Sequence, residues 1–231
     1  MLKNIFIVEG LPGVGKSYFC GVLQQELRNT DGTKTIHFFE ERDWDHPFHI
    51  SPNDVTNDIW SVDHGDFIGI VEDKCDSFFA ETYVPDEIYI FDCALLQRPI
   101  YYSMIIGDIS EEATFSHVRR LYGYLKNLPC QVFYLESREF LGDFEFIYRD
   151  RGPEYRDSIE RFWNNGKFGT EQELQGLEGA IEVLKYVKEI KERFLFKLNL
   201  SPVVIDNTAK KPDVVRKSIR DVLRAQSKPG A

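Results

Sequence analysis

Residues 10–17 combine the backbone and side-chain types that bind a phosphate chain. They match G-x-x-x-x-G-K-[ST], the pattern of the phosphate-binding loop or P-loop. Glycines let the backbone approach a ligand closely, and successive N–H groups at a helix N-terminus attract anions. Lys16 is placed to reach the β- and γ-phosphates of a nucleotide, and the Ser17 hydroxyl to ligate Mg²⁺. The predicted nucleotide-binding residues of the loop are Gly10, Leu11, Pro12, Gly13, Val14, Gly15, Lys16 and Ser17.

The residues on either side of the loop decide between this interpretation and a glycine-rich turn with a surface lysine. Residues 5–8 form a short apolar run of the kind found in a buried parallel strand. After the loop, apolar residues recur at helical spacing, at Phe19, Cys20, Leu23 and Leu27. The order strand, glycine-rich turn, helix favours a phosphate-binding loop. A dinucleotide-binding loop is less favoured, because G-x-G-x-x-G is not present and Lys16 and Ser17 would have no task there.

An apolar run at residues 87–91 ends in Asp92, as in the Walker B pattern, in which the carboxylate supports Mg²⁺. With a P-loop upstream, this pattern predicts that Ser17 and Asp92 hold the metal. The next residue is Cys93, whereas many motor and transporter ATPases place a water-activating Glu there. The chain therefore does not resemble those ATPases.

A polar cluster follows the second predicted strand, residues 34–39. In open α/β sheets ligands bind beyond the carboxyl ends of the strands, so this cluster is a candidate substrate site. The alternative is a solvated acidic loop, but Trp44 and Phe48 are too apolar for a plain loop. Gln97 and Arg98 lie just beyond the third strand and are expected over the same site. The candidate substrate residues are Glu40, Glu41, Asp43, Trp44, Asp45, His46, Phe48, Gln97 and Arg98.

A basic segment follows the fourth predicted strand, within residues 139–169. Arg149, Arg151 and Arg156 lie close together in it, and phosphoryl transfer needs mobile cations over the γ-phosphate. We therefore predict a helical lid over residues 139–169 that carries these three arginines as catalytic residues. The alternative is a surface helix whose arginines pair with the acidic residues among them, which are Asp150, Glu154 and Asp157.

Strands and helices must bring these residues together. Apolar strands are predicted at residues 5–8, 34–39, 87–91, 131–135 and 202–205. After the first helix, helices are predicted at residues 71–83, 111–128 with Ser110 as cap, 176–198 and 214–223, and turns at residues 51–59 (or a helix cap there) and 63–66. The predicted fold class is α/β, a five-stranded parallel, doubly wound sheet flanked by helices in a single domain, residues 1–231. The fifth strand leads into Asn207 and Thr208, which are expected to face the nucleotide base.

Composition narrows the class of protein further. The chain has 231 residues and a net charge of −10, which argues against a nucleic-acid surface. No apolar run approaches the ~18 residues of a membrane span, and because residues 1–3 lead directly into the first strand we expect no signal peptide. The four cysteines form no C-x-x-C pair and are expected to be reduced and buried. These features favour a cytoplasmic protein without nucleic-acid or membrane partners; a homodimer stays open.

Taken together, these parts resemble the P-loop small-molecule kinases, the thymidylate-kinase-like and deoxynucleoside-kinase-like group. Residues 44–47 (Trp-Asp-His-Pro) and 96–100 (Leu-Gln-Arg-Pro-Ile) are similar to stretches in poorly characterised bacterial proteins of that superfamily. The resemblance implies a Mg·ATP site at the P-loop, a substrate site between the second and third strand ends, and a lid near residues 149–156. It also favours Glu40 as the catalytic base, with Glu41, Asp43 and Asp45 as alternatives.

The expected function is therefore ATP- and Mg²⁺-dependent phosphoryl transfer to a hydroxyl of a small molecule. The Asp-Arg-Tyr/His signature of several nucleoside and nucleotide kinases is absent, since Asp92 leads into Cys-Ala-Leu. This disfavours a standard nucleoside or nucleotide substrate, and the acceptor stays open between a nucleoside-like or nucleotide-like molecule and an antibiotic-like or other small alcohol. A regulatory NTPase is a second hypothesis, although N-K-x-D is absent and the D-x-x-G match at residues 66–69 does not end an apolar strand. A non-catalytic nucleotide-binding module is a third.

Overall fold

The computed structural model describes residues 3–30, 32–41, 43, 45–50 and 64–227, and it is organised around one parallel β-sheet. The strands are β1 Ile5–Gly10, β2 Ile36–Phe39, β3 Ile88–Asp92, β4 Cys130–Glu136 and β5 Val203–Asp206. Their spatial order is β2-β3-β1-β4-β5, and every neighbouring pair is parallel. The carboxyl ends of all five strands therefore lie at one edge of the sheet, with the end of β1 at its centre.

Helices connect the strands and flank the sheet. They are α1 Lys16–Thr30, α2 His64–Ser77, α3 Gln97–Ile100, α4 Glu111–Leu125, α5 Phe140–Asp150, α6 Pro153–Ile159, α7 Lys167–Glu171, α8 Gly176–Lys197 and α9 Pro212–Ser227. Three of them, α2, α3 and α6, continue into the π-helical turns Phe78–Thr82, Tyr101–Ile106 and Glu160–Asn164. The predicted α/β class and five-stranded parallel sheet with flanking helices are thus confirmed. Among the described helices none is long and apolar enough to cross a lipid bilayer.

The core lies between the sheet and the helices that cover it. All residues of β1 are buried, which explains why this strand is a continuous apolar run rather than an alternating one. Phe19 of α1 packs against Phe133 of β4, with ring centroids 5.0 Å apart. Helix α8 covers the core with side chains at helical spacing, among them Val187 and Phe194. Burial of each such side chain is worth about 1.5–3 kcal/mol, so β1 is held firmly where the P-loop begins.

The helix before β3 begins earlier than its sequence suggested. Residues 64–66 form the first turn of α2, so the prediction of a turn is wrong for these three residues. Phe67 and Val71, one helical turn apart, are both buried, so the apolar face of the helix already starts at Phe67. Asp66 lies in the first turn, where an acidic side chain stabilises a helix N-terminus. Residue 63 and the segment 51–59 lie outside the described residues.

Other local predictions agree with the structure. The Ser110 side chain caps α4 by accepting a hydrogen bond of 3.2 Å from the N–H of Ala113. Cys20, Cys75 and Cys93 are free and buried, as predicted, whereas Cys130 is free but only partly buried. Strand and helix ends differ from the predicted ones by a few residues, as is usual for boundaries read from sequence.

A buried carboxylate joins the last helix to the first. Glu26 of α1 accepts hydrogen bonds from Arg220 Nε at 2.7 Å and Arg216 Nη1 at 2.8 Å, both on α9. Hydrogen bonds from Arg220 and Arg216 lower the pKa of Glu26, although burial acts in the opposite direction. Because the pKa is lower in the folded chain, this pair stabilises the fold above the ordinary Glu pKa, and the stabilisation is lost as pH falls through the folded value.

We predict that Glu26→Gln lowers the free energy of unfolding by about 1–3 kcal/mol at neutral pH, because a charge-assisted hydrogen bond is lost. The loss should be smaller at acidic pH, where wild-type Glu26 is itself protonated. Urea unfolding followed by circular dichroism at several pH values measures both. A loss that does not depend on pH would contradict the ionic role of Glu26.

Candidate active site

The P-loop connects β1 to α1 in a conformation that requires glycine. Gly13 has φ +87°, and a Cβ there would lie 2.8 Å from the carbonyl oxygen of Asp143 in α5. Gly15 has φ +93°, and its Cβ would lie 2.8 Å from Nδ2 of Asn207. L side chains rarely adopt such φ values, and neither contact leaves room for a methyl group. The loop backbone is therefore held directly against α5 and the end of β5.

The N–H groups of the loop are free to bind an anion. Within the described part of the chain, no hydrogen bond is donated by the N–H groups of Leu11, Gly13, Val14 or Gly15. Helix α1 begins immediately afterwards, at Lys16, so its N-terminal dipole points into the same space. This arrangement fits a phosphate chain, which accepts hydrogen bonds and carries negative charge.

Lys16 supplies a buried cation beside the loop. Its Nζ donates a hydrogen bond of 3.0 Å to the carbonyl oxygen of Leu11, and only 7% of the residue is exposed. Burial acts to lower the pKa of Lys16, but nearby negative groups, including Glu41 and Asp92, raise it above its ordinary value. Lys16 is therefore charged at neutral pH.

Ser17 and Asp92 form the predicted metal pair. The Ser17 hydroxyl donates a hydrogen bond of 3.0 Å to Oδ2 of Asp92, which lies at the end of β3 and is buried. Burial raises the pKa of Asp92, and Lys16 opposes that change. A hydroxyl and one carboxylate beside a phosphate site are oxygen ligands suited to Mg²⁺, which keeps several waters and is usually completed by phosphate oxygens. Among the described residues there is no cluster of three or more His, Cys, Asp or Glu that would bind a metal without phosphate.

At the end of β2 the structure corrects the choice between Glu40 and Glu41. We expected Glu40 to face the P-loop, but it is exposed, and its N–H donates to Oδ2 of Asp43 at 2.6 Å in a turn after β2. The side chain of Glu41 instead accepts a hydrogen bond of 2.6 Å from Nε2 of Gln97. The strand has ended at Phe39, so the turn, rather than strand alternation, decides which carboxylate points inward.

Arg98 and Gln97 hold Glu41 as an ionised group. Arg98 donates to the Glu41 carbonyl oxygen at 3.1 Å, and its guanidinium lies 3.8 Å from the Glu41 carboxylate. Burial acts to raise the pKa of Glu41, but Arg98 and Lys16 outweigh it and lower the pKa to about 2. The buried Nε of Arg98 has no hydrogen-bond partner among the described residues. Gln97 and Arg98 therefore lie against Glu41, and their place at a substrate site stays a prediction.

The other residues of the polar cluster divide between surface and core. Asp45 is exposed, and Asp43 is used in the turn. His46 and Phe48 are fully buried, and the Phe48 ring packs against Phe91 at 5.3 Å, so Phe48 belongs to the core rather than to an open pocket wall. Trp44 lies outside the described residues.

The strand-end loop after β5 supports the P-loop. Asn207 is buried and donates a hydrogen bond of 2.8 Å to the carbonyl oxygen of Val14. The Thr208 hydroxyl accepts a hydrogen bond of 2.9 Å from the N–H of Arg138, just before α5. Asn207 therefore contacts the loop backbone, and Thr208 ties β5 to the start of the predicted lid.

The three lid arginines are exposed and make local contacts in this structure. Arg149 pairs with Glu145 at 3.3 Å, and Arg156 donates to the carbonyl oxygen of Gly152 at 3.4 Å. The guanidinium of Arg151 lies over the Tyr155 ring. The acidic partners expected for a surface helix, Asp150, Glu154 and Asp157, are thus not the ones observed. Among the described contacts, none joins these three arginines to the P-loop.

Several buried groups at the site were not predicted. Glu9 interrupts an otherwise apolar strand, and Lys191 falls on the apolar face of α8. Each is therefore a charged residue at a position where the hydrophobic pattern predicts an apolar one, and this could have identified it from sequence. His49 contacts the carbonyl oxygens of Glu41 and Cys93, and burial lowers its pKa to about 3. His49 is therefore neutral and joins the ends of β2 and β3, which no local pattern indicated.

The sequence matches no protein-family model and no curated protein. Any functional conclusion therefore depends on the geometry of the site.

We predict that Gly13→Ala weakens binding of Mg·ATP at least ~10-fold, because a Cβ forces the loop out of its positive-φ conformation. The measurement is isothermal titration calorimetry with a non-hydrolysable ATP analogue and Mg²⁺. Gly21→Ala is the matched control, since Gly21 is an exposed helix residue whose Cβ would meet nothing within 4 Å. It should leave binding unchanged and stabilise the fold by about 0.5–1 kcal/mol. Equal affinity of both variants would contradict the assigned role of the loop.

Proposed function

We propose that this chain is an ATP- and Mg²⁺-dependent phosphotransferase that acts on a hydroxyl group of a small molecule. The observation that carries the proposal is the position of Glu41, an ionised carboxylate held by Gln97 and Arg98 within electrostatic reach of Lys16. A P-loop alone supports nucleotide binding. A partly buried, oriented carboxylate beside it supports the transfer of phosphate to an acceptor, because the acceptor hydroxyl must lose a proton.

The residues divide into those that hold the donor and those that orient the acceptor. The loop N–H groups and Lys16 bind the phosphate chain and stabilise the charge that develops on it during transfer. Ser17 and Asp92 would hold Mg²⁺, which when bound would neutralise charge on the phosphates. Glu41 orients the acceptor hydroxyl and accepts its proton. Arg98 and Gln97 keep Glu41 ionised and in place.

A small acceptor suits the polar groups and the charge of this site. Glu41, Arg98 and Gln97 are the polar groups of the acceptor side, and the chain as a whole is acidic, which does not favour nucleic acid. Arg98 still has one unpaired N–H in its buried Nε among the described contacts. A nucleoside-like, nucleotide-like or antibiotic-like alcohol with a carbonyl or anionic group beside its hydroxyl would pair with the partly exposed guanidinium of Arg98.

The lid remains part of the proposal. Helix α5 starts beside the P-loop, where Lys210 Nζ contacts both the Gly13 carbonyl oxygen and the Asp143 carboxylate at 2.9 Å. Rotation about Gly152, which has φ +82° and open space around it, would move α6 relative to α5. This rotation would carry Arg156 on α6 toward the transferring phosphate, whereas Arg149 and Arg151, which precede Gly152, would supply cations there only if the end of α5 moved as well.

We predict that Glu41→Gln lowers the rate of phosphoryl transfer by ~10²–10⁴, whereas Glu40→Gln leaves it unchanged. The measurement is transfer of the γ-phosphate of ATP to a panel of nucleosides, nucleotides and aminoglycoside-like alcohols. Because the pKa of Glu41 is about 2, Glu41 stays ionised, so Glu41→Gln should lower kcat/KM by the same factor at every pH from neutral down to about pH 4. An ordinary glutamate would instead produce an acidic limb near pH 4.3.

Two outcomes of this screen would contradict the proposal. ATP hydrolysis that no acceptor accelerates would favour a regulatory NTPase, and nucleotide binding without turnover would favour a non-catalytic module. A Glu40→Gln variant that loses activity while Glu41→Gln retains it would mean that Glu41 is not the base.

We also predict that activity requires Mg²⁺ or Mn²⁺ and that Lys16→Ala abolishes it while the fold is retained. Lys16 should stabilise the transition state more than it stabilises bound ATP. Asp92→Asn should reduce the rate sharply and raise the Mg²⁺ concentration needed for half-maximal rate, because a carboxylate that supports the metal is lost. Full activity in excess chelator would contradict the metal assignment.

A further inference from the structure

Two oppositely charged side chains are completely buried behind the P-loop. Glu9 lies on β1 directly before Gly10, and Lys191 lies on α8. Both are 0% exposed, and Lys191 Nζ is 3.6 Å from Oε2 of Glu9. Such a pair seldom stabilises a fold more than apolar residues of similar size would, so its position is the more informative feature.

Lys191 also contacts the P-loop and α3. Its Nζ donates a hydrogen bond of 2.7 Å to the carbonyl oxygen of Gly10, the first residue of the loop. The same Nζ lies 3.4 Å from Oε1 of Gln97 at the start of α3. A lysine ammonium has three N–H donors. Lys191 donates to Gly10 and Gln97, whereas Oε2 of Glu9, at 3.6 Å, forms an ion pair with it but accepts no hydrogen bond among the described residues. Burial lowers the pKa of Lys191, and Glu9 opposes that change.

Glu9 fixes the turn that leads to Gln97. Its Oε1 accepts hydrogen bonds from the N–H groups of Leu95 and Leu96, at 2.8 and 2.9 Å. These two residues connect the end of β3 to α3. The carboxylate therefore holds the backbone that carries Gln97 and Arg98, while Lys191 holds the side chain of Gln97.

Gln97 continues the contacts to the acceptor side. Its Oε1 faces Lys191, and its Nε2 donates to the carboxylate of Glu41 at 2.6 Å. An amide has one acceptor end and one donor end, so both contacts together allow only this orientation of Gln97. A continuous set of hydrogen bonds thus runs from the Gly10 carbonyl through Lys191 and Gln97 to Glu41.

We propose that Lys191 is a positioning residue that couples the P-loop to Glu41 through Gln97, so that the nucleotide loop and the acceptor carboxylate keep a fixed relative position. This role rests on the proposed phosphotransferase function. Lys191 touches neither substrate. It acts on the reaction by setting where Glu41 stands relative to the bound phosphates.

The coupling itself can be tested without an acceptor. In full-length protein labelled with ¹³C,¹⁵N-lysine, the Lys191 side-chain resonance is assigned by its absence in Lys191→Met. Glu41→Gln should move this resonance, although no hydrogen bond joins Glu41 to Lys191, and most of the shift should be lost in a Gln97→Met background, where only the direct Coulomb interaction is left. An unmoved resonance would overturn the proposal. A shift of the same size in the Gln97→Met background would also overturn it, because the effect would then be direct Coulomb interaction.

The effect on transfer is measured with Mg·ATP and the best acceptor from the screen. Lys191→Met should lower kcat by ~10–100-fold, as expected when a reacting group is misplaced, and change KM for ATP less than ~threefold. Lys185→Met is the matched control, since Lys185 is an exposed lysine on the same helix that pairs only with Glu182 at the surface. It should behave as wild type.

A second variant covers the case in which Lys191→Met does not fold because Glu9 is left buried and unpaired. Glu9→Gln/Lys191→Met removes both charges, and the Gln amide oxygen can still accept hydrogen bonds from the N–H groups of Leu95 and Leu96. It should fold and show the same loss of kcat at nearly constant KM. Wild-type kcat in either folded variant, or a loss confined to KM, would overturn the proposal. If the wild-type chain transfers phosphate to no acceptor, the phosphotransferase function fails, whereas the resonance experiment still decides the coupling.

Discussion

The backbone of the P-loop is held by direct contact with its neighbours, and the rest of the site depends on that constraint. Gly13 lies against the backbone of α5, and Gly15 lies against Asn207 at the end of β5, so neither position admits a side chain. The central place of β1, paired with β3 and β4, brings the loop to the middle of the sheet edge. The loop therefore presents its N–H groups without having to reorganise around a ligand, which is the condition for strong electrostatic stabilisation.

Among the residues that the structure describes, the site also contains equal numbers of cationic and anionic side chains near the P-loop. Lys16, Lys191 and Arg98 lie among Glu9, Glu41 and Asp92, so the cations and anions compensate one another in a mostly buried region. The balance shifts pKa values in opposite directions, since Glu41 is kept ionised by Arg98 and Lys16, whereas burial raises the pKa of Asp92. The two carboxylates therefore stand in different electrostatic environments, and the proposed function assigns them different tasks, proton acceptance to Glu41 and metal support to Asp92.

The polar cluster after β2 shows where prediction from sequence stopped. Its place beyond a strand end was predictable from the parallel sheet, but which carboxylate turns inward was not. The N–H of Glu40 is taken by Asp43, and this turn directs Glu41 toward Gln97. Phe48 was predicted to line a pocket because it is apolar in a polar segment, but the same property places it in the core against Phe91.

The sequence by itself determined the strand–loop–helix unit at residues 5–30, the α/β class, and the pairing of a P-loop serine with a strand-end aspartate. Each of these depends on short-range patterns, namely hydrophobic period, glycine placement and strand-end position. Only the tertiary structure decided that Lys191 meets Glu9 and that Gln97 joins Lys191 to Glu41. These contacts link residues far apart in the chain, and packing of α8 against the sheet, rather than any local preference, selects which buried charges meet.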